Sequence, residues 1–201
     1  MCPESQILCF KHCRSTSIFC KIVPTACPLC QETIDNFLIP PFIIPNPLVN
    51  AKDCPCSLVI RPSKGDFLND FQINNDLHIG ITNSQGLVVE YDMCGLIVND
   101  IIRWKNCVSI HMIPESWESH WDELLKKMCS DCQWSPNRYN EDTFNCFNFV
   151  ISFLKNLKFQ HTQYMNKEEL CQEFVLPKLE MILKYTLLYK NLKNANVYIQ
   201  N

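Results

Sequence analysis

Asn145-Cys146-Phe147-Asn148-Phe149-Val150 is the stretch from which the fold is read. A polar, turn-rich run over 136–145 stops there and an apolar helix begins. Phe147, Val150, Ile151, Leu154 and Leu157 recur at helical spacing, and Phe149 and Phe153 fall on another flank, so this helix is apolar almost all round and central. Cys146 falls at its first turn. The free N–H groups and the dipole of a helix start favour a thiolate there. The complementary group is His78, in Asp76-Leu77-His78-Ile79-Gly80-Ile81, which reads as a strand. A thiol at a helix start and an imidazole on a strand are the minimal parts of a papain-like active site. The alternative is a buried core thiol and an unrelated histidine, in a chain with thirteen other cysteines.

Composition narrows the function classes. The chain has 201 residues, 47% of them hydrophobic, and four glycines, which describes a folded domain with room for a small appendage. A net charge of −3 with interspersed charges leaves no basic stripe for nucleic acid. No apolar run reaches the length of a transmembrane segment. Met1-Cys2-Pro3-Glu4-Ser5 has neither the basic region nor the apolar core of a secretory signal. Fourteen cysteines without such a signal are expected as reduced thiols in the cytoplasm or nucleus, where clusters point to metal.

Residues 7–11 and 18–23 read as two short strands joined as a hairpin. Cys27-Pro28-Leu29-Cys30 follows, with two thiolates three positions apart that can reach one tetrahedral ion. The other pair is open, from His12 or Cys13 and from Cys20. The set carried forward is Cys13, Cys20, Cys27 and Cys30 around a structural zinc, against free thiols in a small sheet. Ile39-Pro40-Pro41-Phe42-Ile43-Ile44-Pro45-Asn46-Pro47 cannot be helical inside and is expected to lie against the main domain. Cys54-Pro55-Cys56 is too tight for an ordinary metal pair and reads as the start of a strand.

Strands are expected over 57–61, Leu77–Thr82, 87–91 and 107–112, and a strand or short helix over 96–104. With a turn around 84–85, His78 and Glu90 have the same parity on paired strands and point to one face. Glu90 is thus the group expected to orient the ring, with Asp92 and His111 as the fallbacks. From Pro114 the pattern turns helical, with Trp117, Trp121, Leu124, Leu125 and Met128 on one face. Cys129-Ser130-Asp131-Cys132 closes that helix as core or surface thiols. Asn166 is a candidate N-cap for a third helix, and Pro177 a candidate first residue of the last.

Resemblance adds to this. Asn145-Cys146-Phe147-Asn148-Phe149-Val150 resembles the N-C-x-H-F-V signature of the lecithin-retinol acyltransferase-like proteins, members of the permuted NlpC/P60, papain-like superfamily. There too the histidine strand precedes the cysteine helix. Glu90 and Asn148 stand where that family typically has histidines. The hairpin from Asp76 to Gly86, Trp134-Ser135-Pro136-Asn137-Arg138-Tyr139, the Asn145-Cys146 block, Glu173-Phe174-Val175-Leu176-Pro177 and the early cysteines resemble the makorin-two opposite-strand protein family.

The expectation is an α+β protein. A cysteine-rich hairpin over 1–31 and a proline-rich connector over 32–56 precede a permuted papain-like domain over 57–201. In that domain an antiparallel sheet packs on the helix that starts at Cys146. Two functions are carried forward: a cysteine-nucleophile hydrolase or acyltransferase using Cys146, His78 and Glu90, and an inactive interaction or adaptor protein on the same scaffold, stabilised by zinc. Catalysis in the first needs no cofactor. The partner or acyl substrate is left unknown.

Overall fold

The computed structural model describes residues 6–98 and 102–200. The expectation about Met1–Ser5, and the middle of that for 96–104, lie outside these residues. The chain is α+β, with two antiparallel sheets. It forms two compact units, Met1–Pro47 with Met181–Asn201, and Leu48–Glu180.

The first unit holds the strands β1 (Ile7–Lys11), β2 (Ser17–Cys20), β3 (Ile39–Ile44) and β9 (Val197–Gln200), in the order β3-β1-β2-β9. Phe10, Ile18, Cys20 and Cys27 form its core, with Phe37 edge-on to Phe10 at 5.6 Å. The proline-rich connector contributes a strand rather than only a covering segment. Pro40 and Pro41 lack N–H donors, and an edge strand tolerates that. The pairing with β1 shifts register between Cys9 and Lys11. β9, paired with β2, has no counterpart among the expected strands.

The second unit is built on the sheet β7-β6-β5-β4-β8, from β4 (Ser57–Pro62), β5 (Leu77–Thr82), β6 (Val88–Asp92), β7 (Gly95–Val98) and β8 (Val108–His111). Consecutive strands β4 to β7 form a meander, and β8 returns to the free edge of β4. Helix α2 (Cys146–Leu157) packs on β5 and β6, and helix α1 (Glu118–Cys129) packs on α2 with Trp121 edge-on to Phe153 at 4.6 Å. Phe149, Val150, Phe153 and Leu154 of α2 are fully buried. Burial of each contributes about 1.5–3 kcal/mol, so the sheet and α2 hold each other in place.

Asn166 caps helix α3 (Lys167–Leu170) reciprocally with Glu169. Pro177 does not start a separate helix. A π-helical turn at Cys171–Val175 runs directly into α4 (Leu176–Asn194), and Leu176 N–H bonds back to Cys171 O. The wider turn just before Pro177 accommodates a residue that cannot donate to the helical ladder.

Candidate functional site

Two groups of chemistry-bearing side chains stand out, one in each unit. The first is built on β4, β5, β6 and the start of α2. Arg61 pairs with His78 across β4 and β5, and Gly80 pairs with Glu90 across β5 and β6. Arg61, His78 and Glu90 thereby share one face of the sheet. His78 Nε2 is 2.8 Å from Glu90 Oε2, and Arg61 Nη2 is 3.3 Å from the same oxygen. Trp104 Nε1 donates to the other oxygen at 3.2 Å. The His78–Glu90 contact is an ion-pair approach off the N–H axis, since Nε2 makes no well-aligned hydrogen bond. Gly80 makes room for this arrangement: a Cβ there would press on Val88, Val89 O and Trp104.

The Cys146 thiol and the His78 ring line one cleft, and the thiol acts on the ring electrostatically. Burial opposes the imidazolium, but Cys146 and Glu90 outweigh it and lift His78 from 6.5 to about 9. Glu90 is held below the usual carboxylate range, because His78, Trp104 and Arg61 together overcome its burial. Cys146 and His78 are 4% and 6% exposed, yet both line a cleft of about 470 Å³. Lys64, Asp76, Tyr139, Glu141, Asn145 and Lys167 line it too, so its wall is mainly polar. Larger hollows open beside Trp117 and His120 and beside Ile22 and Leu192, but neither sets a thiol against an imidazole.

Local structure fixes the thiol. Asn145 caps α2, accepting from Phe147 N–H at 3.0 Å, and Asn148 Oδ1 accepts from Asn145 N–H at 2.9 Å. Asn148 is therefore the reciprocal member of a capping box. The loop leading in is pinned by aromatics: Trp134 stacks on Phe144 at 5.1 Å, both contact Tyr91, and Tyr91 Oη donates to Ser135 O at 3.0 Å. A thiol, an imidazole and a carboxylate in this succession can pass a proton and present a sulfur nucleophile.

The fallback residues lie apart from the ring. Asp92 faces Arg103 at 3.7 Å and accepts from Cys94 N–H, and His111 is exposed on β8 opposite Ser57. Arg61 and Trp104 were not anticipated. An arginine in an otherwise apolar strand, Ser57-Leu58-Val59-Ile60-Arg61, was the signal for the first.

The second group lies in the first unit. His12 Nδ1 is 3.6 Å from Cys30 Sγ, Cys13 Sγ is 3.9 Å from Cys27 Sγ, and all four ligand atoms lie within 4.8 Å of one another. Burial raises Cys27, but backbone N–H groups of Cys30 and Leu29 outweigh it and bring the thiol down to about 7. The cluster corrects the expected ligand set, because Cys20 is not in it. Cys20 pairs with Leu8 and Val197 in the middle of the sheet and is fully buried in the apolar core. His12 and Cys13, in the turn after β1, face Cys27 and Cys30 instead.

The DUF4796 C-terminal profile matches residues 41–192, and the DUF4796 N-terminal profile matches residues 5–34. The chain belongs to the DUF4796 family. It is 29% identical to the human MKRN2 opposite strand protein over 206 residues, which covers 98% of this chain and 92% of that protein. No solved structure matches. The C-terminal DUF4796 match contains Cys146, His78 and Glu90, and the N-terminal match contains His12, Cys13, Cys27 and Cys30. Among the described residues of this DUF4796 chain, no helix is long and apolar enough to cross a membrane.

Proposed function

We propose that this chain is a cysteine-nucleophile hydrolase acting on a polar acyl compound, with a permuted papain-like arrangement in the unit Leu48–Glu180. The observation that carries this is the succession of Cys146, His78 and Glu90 at one cleft. With Nε2 against Glu90, Nδ1 is the ring nitrogen left to exchange a proton with the thiol. His78, held as the imidazolium, already carries the proton of Cys146 when the sulfur attacks the carbonyl carbon. His78 returns that proton to the leaving amine, alcohol or thiol, and an acyl-thioester remains. Water then attacks, giving a proton to the now neutral His78, and the carboxylic acid forms as the sulfur leaves beside the restored imidazolium. The Cys146 N–H, at the open end of α2, is one donor to the oxyanion. The polar wall favours an amide or a hydrophilic ester or thioester over a lipid acyl chain. That makes hydrolysis the better reading than acyl transfer at a membrane.

All thirteen cysteines among the described residues are free thiols, which fits a reducing compartment, cytoplasm or nucleus. The amino-terminal cluster is read as a structural zinc site. The rival reading is an interaction protein that keeps the scaffold without turnover, and the low exposure of Cys146 favours it.

One experiment separates the two. An electrophilic probe is applied across pH to the protein and to His78→Ala, and modified cysteines are located by mass spectrometry. Turnover chemistry expects labelling of Cys146 ahead of the other thiols, lost in the folded variant. Labelling of Cys146 no faster than that of the other thiols assigns the scaffold to binding.

A further inference from the structure

We infer that His12, Cys13, Cys27 and Cys30 form a closed four-ligand zinc site whose role is to hold the amino-terminal unit together. The inference is independent of the reading of Cys146. Zinc takes thiolates at about 2.3 Å and imidazole nitrogen at about 2.0–2.1 Å, so tetrahedral ligand atoms stand roughly 3.5–3.8 Å apart. The Cys30–His12 and Cys13–Cys27 separations, 3.6 and 3.9 Å, are of that size. A disulfide would bring two sulfurs to about 2.05 Å, so the 3.9 Å pair is not one.

The backbone is shaped for the same purpose. Cys27 N–H donates to Glu32 O and Gln31 N–H to Cys27 O, both at 2.8 Å, which curls 27–32 into a knuckle. Gln31 completes the curl with φ +67°, a conformation that costs a non-glycine residue and is held by its surroundings. Leu29 N–H points at Cys27 Sγ from 3.4 Å, a donor placed to share the charge of a thiolate. Ala26 and Thr33 bridge across the base of the knuckle. The other two ligands come from the turn after β1, so one ion would join two loops that are separate in sequence.

The donor set selects the metal. Three thiolates and an imidazole suit zinc and exclude the hard cations magnesium and calcium. Four protein donors leave no position for water or substrate, the pattern of a structural rather than a catalytic ion. The unit it would fasten has under about 70 residues, a size at which a small core is commonly supplemented by metals or disulfides.

The test uses the full chain, expressed with zinc, freed of any histidine tag and analysed for metal. One zinc per chain is expected. Replacement by Co(II) should give the strong visible bands of a tetrahedral thiolate site together with sulfur-to-metal charge transfer. Cys27→Ser and Cys30→Ser should lose the ion, Cys20→Ala and Cys146→Ala should keep it, and His12→Cys should keep it with an altered cobalt spectrum. Where the serine variants fail to fold, the cobalt spectra of wild type and His12→Cys still decide the matter. Less than a tenth of an ion per chain in the reduced wild type, or a cobalt spectrum unchanged by His12→Cys, overturns the assignment. Failure of Cys146 to label leaves this result untouched.

Discussion

His78 and Arg61, opposite one another on β5 and β4, converge on a single oxygen of Glu90, Oε2, at 2.8 and 3.3 Å. Two basic groups thus share one buried carboxylate, which together with Cys146 raises the His78 ring.

Stability should therefore depend on pH through His78. Its value is raised from 6.5 to about 9 on folding, so its contribution is fully present below about 6.5 and is lost as pH rises through about 9. Glu90 is depressed, so its contribution is present above 4.5 and is lost as pH falls through its folded value. Urea unfolding midpoints should form a plateau between these limits and fall towards pH 9. His78→Gln should flatten the alkaline fall; an equal slope in that variant would assign it to other groups.

Glu90→Gln removes the shared charge and leaves Arg61 facing a neutral amide. We expect a loss of about 3–5 kcal/mol in denaturant unfolding, the usual result of stranding a buried partner. The NMR titration of His78 should move down by at least about 1 unit. A ring that titrates unchanged would show that Glu90 does not control it.

Asn145→Ala removes the side-chain acceptor at the start of α2. It should cost about 1 kcal/mol, and Asn145→Asp should restore most of that. Cys146 labelling should slow in the alanine variant as the first turn frays. A melting temperature identical to wild type would mean that the cap contributes nothing.

Gly86 sits at φ +75°, where a Cβ would overlap the carbonyl of Lys52. Gly86→Ala should destabilise the second unit by at least about 2 kcal/mol, since it adds a left-handed side chain and a backbone clash. Circular dichroism melts read this directly, and a change within about 0.5 kcal/mol, the scale of a neutral surface substitution, would contradict it.

What the sequence determined by itself is local. The alternation over Leu77–Thr82 and the change at Cys146 from a turn-rich run to an apolar helical one are written in adjacent residues, and β5 has those bounds and α2 that start. Parity across a short hairpin sets His78 and Glu90 on one face for the same reason. Only the tertiary structure decided what depends on distant segments meeting. Arg61 and Trp104 reach Glu90 because β4 pairs with β5 and because 104 packs across the sheet, which no local pattern announces. β3 and β9 exist because β1 and β2 each offer an open edge to a segment that is irregular or short on its own. The same physics exchanged Cys20 for His12. Spacing in sequence treats both as available donors, but burying the apolar face of β2 takes Cys20 into the core and leaves the turn after β1 to face Cys27 and Cys30.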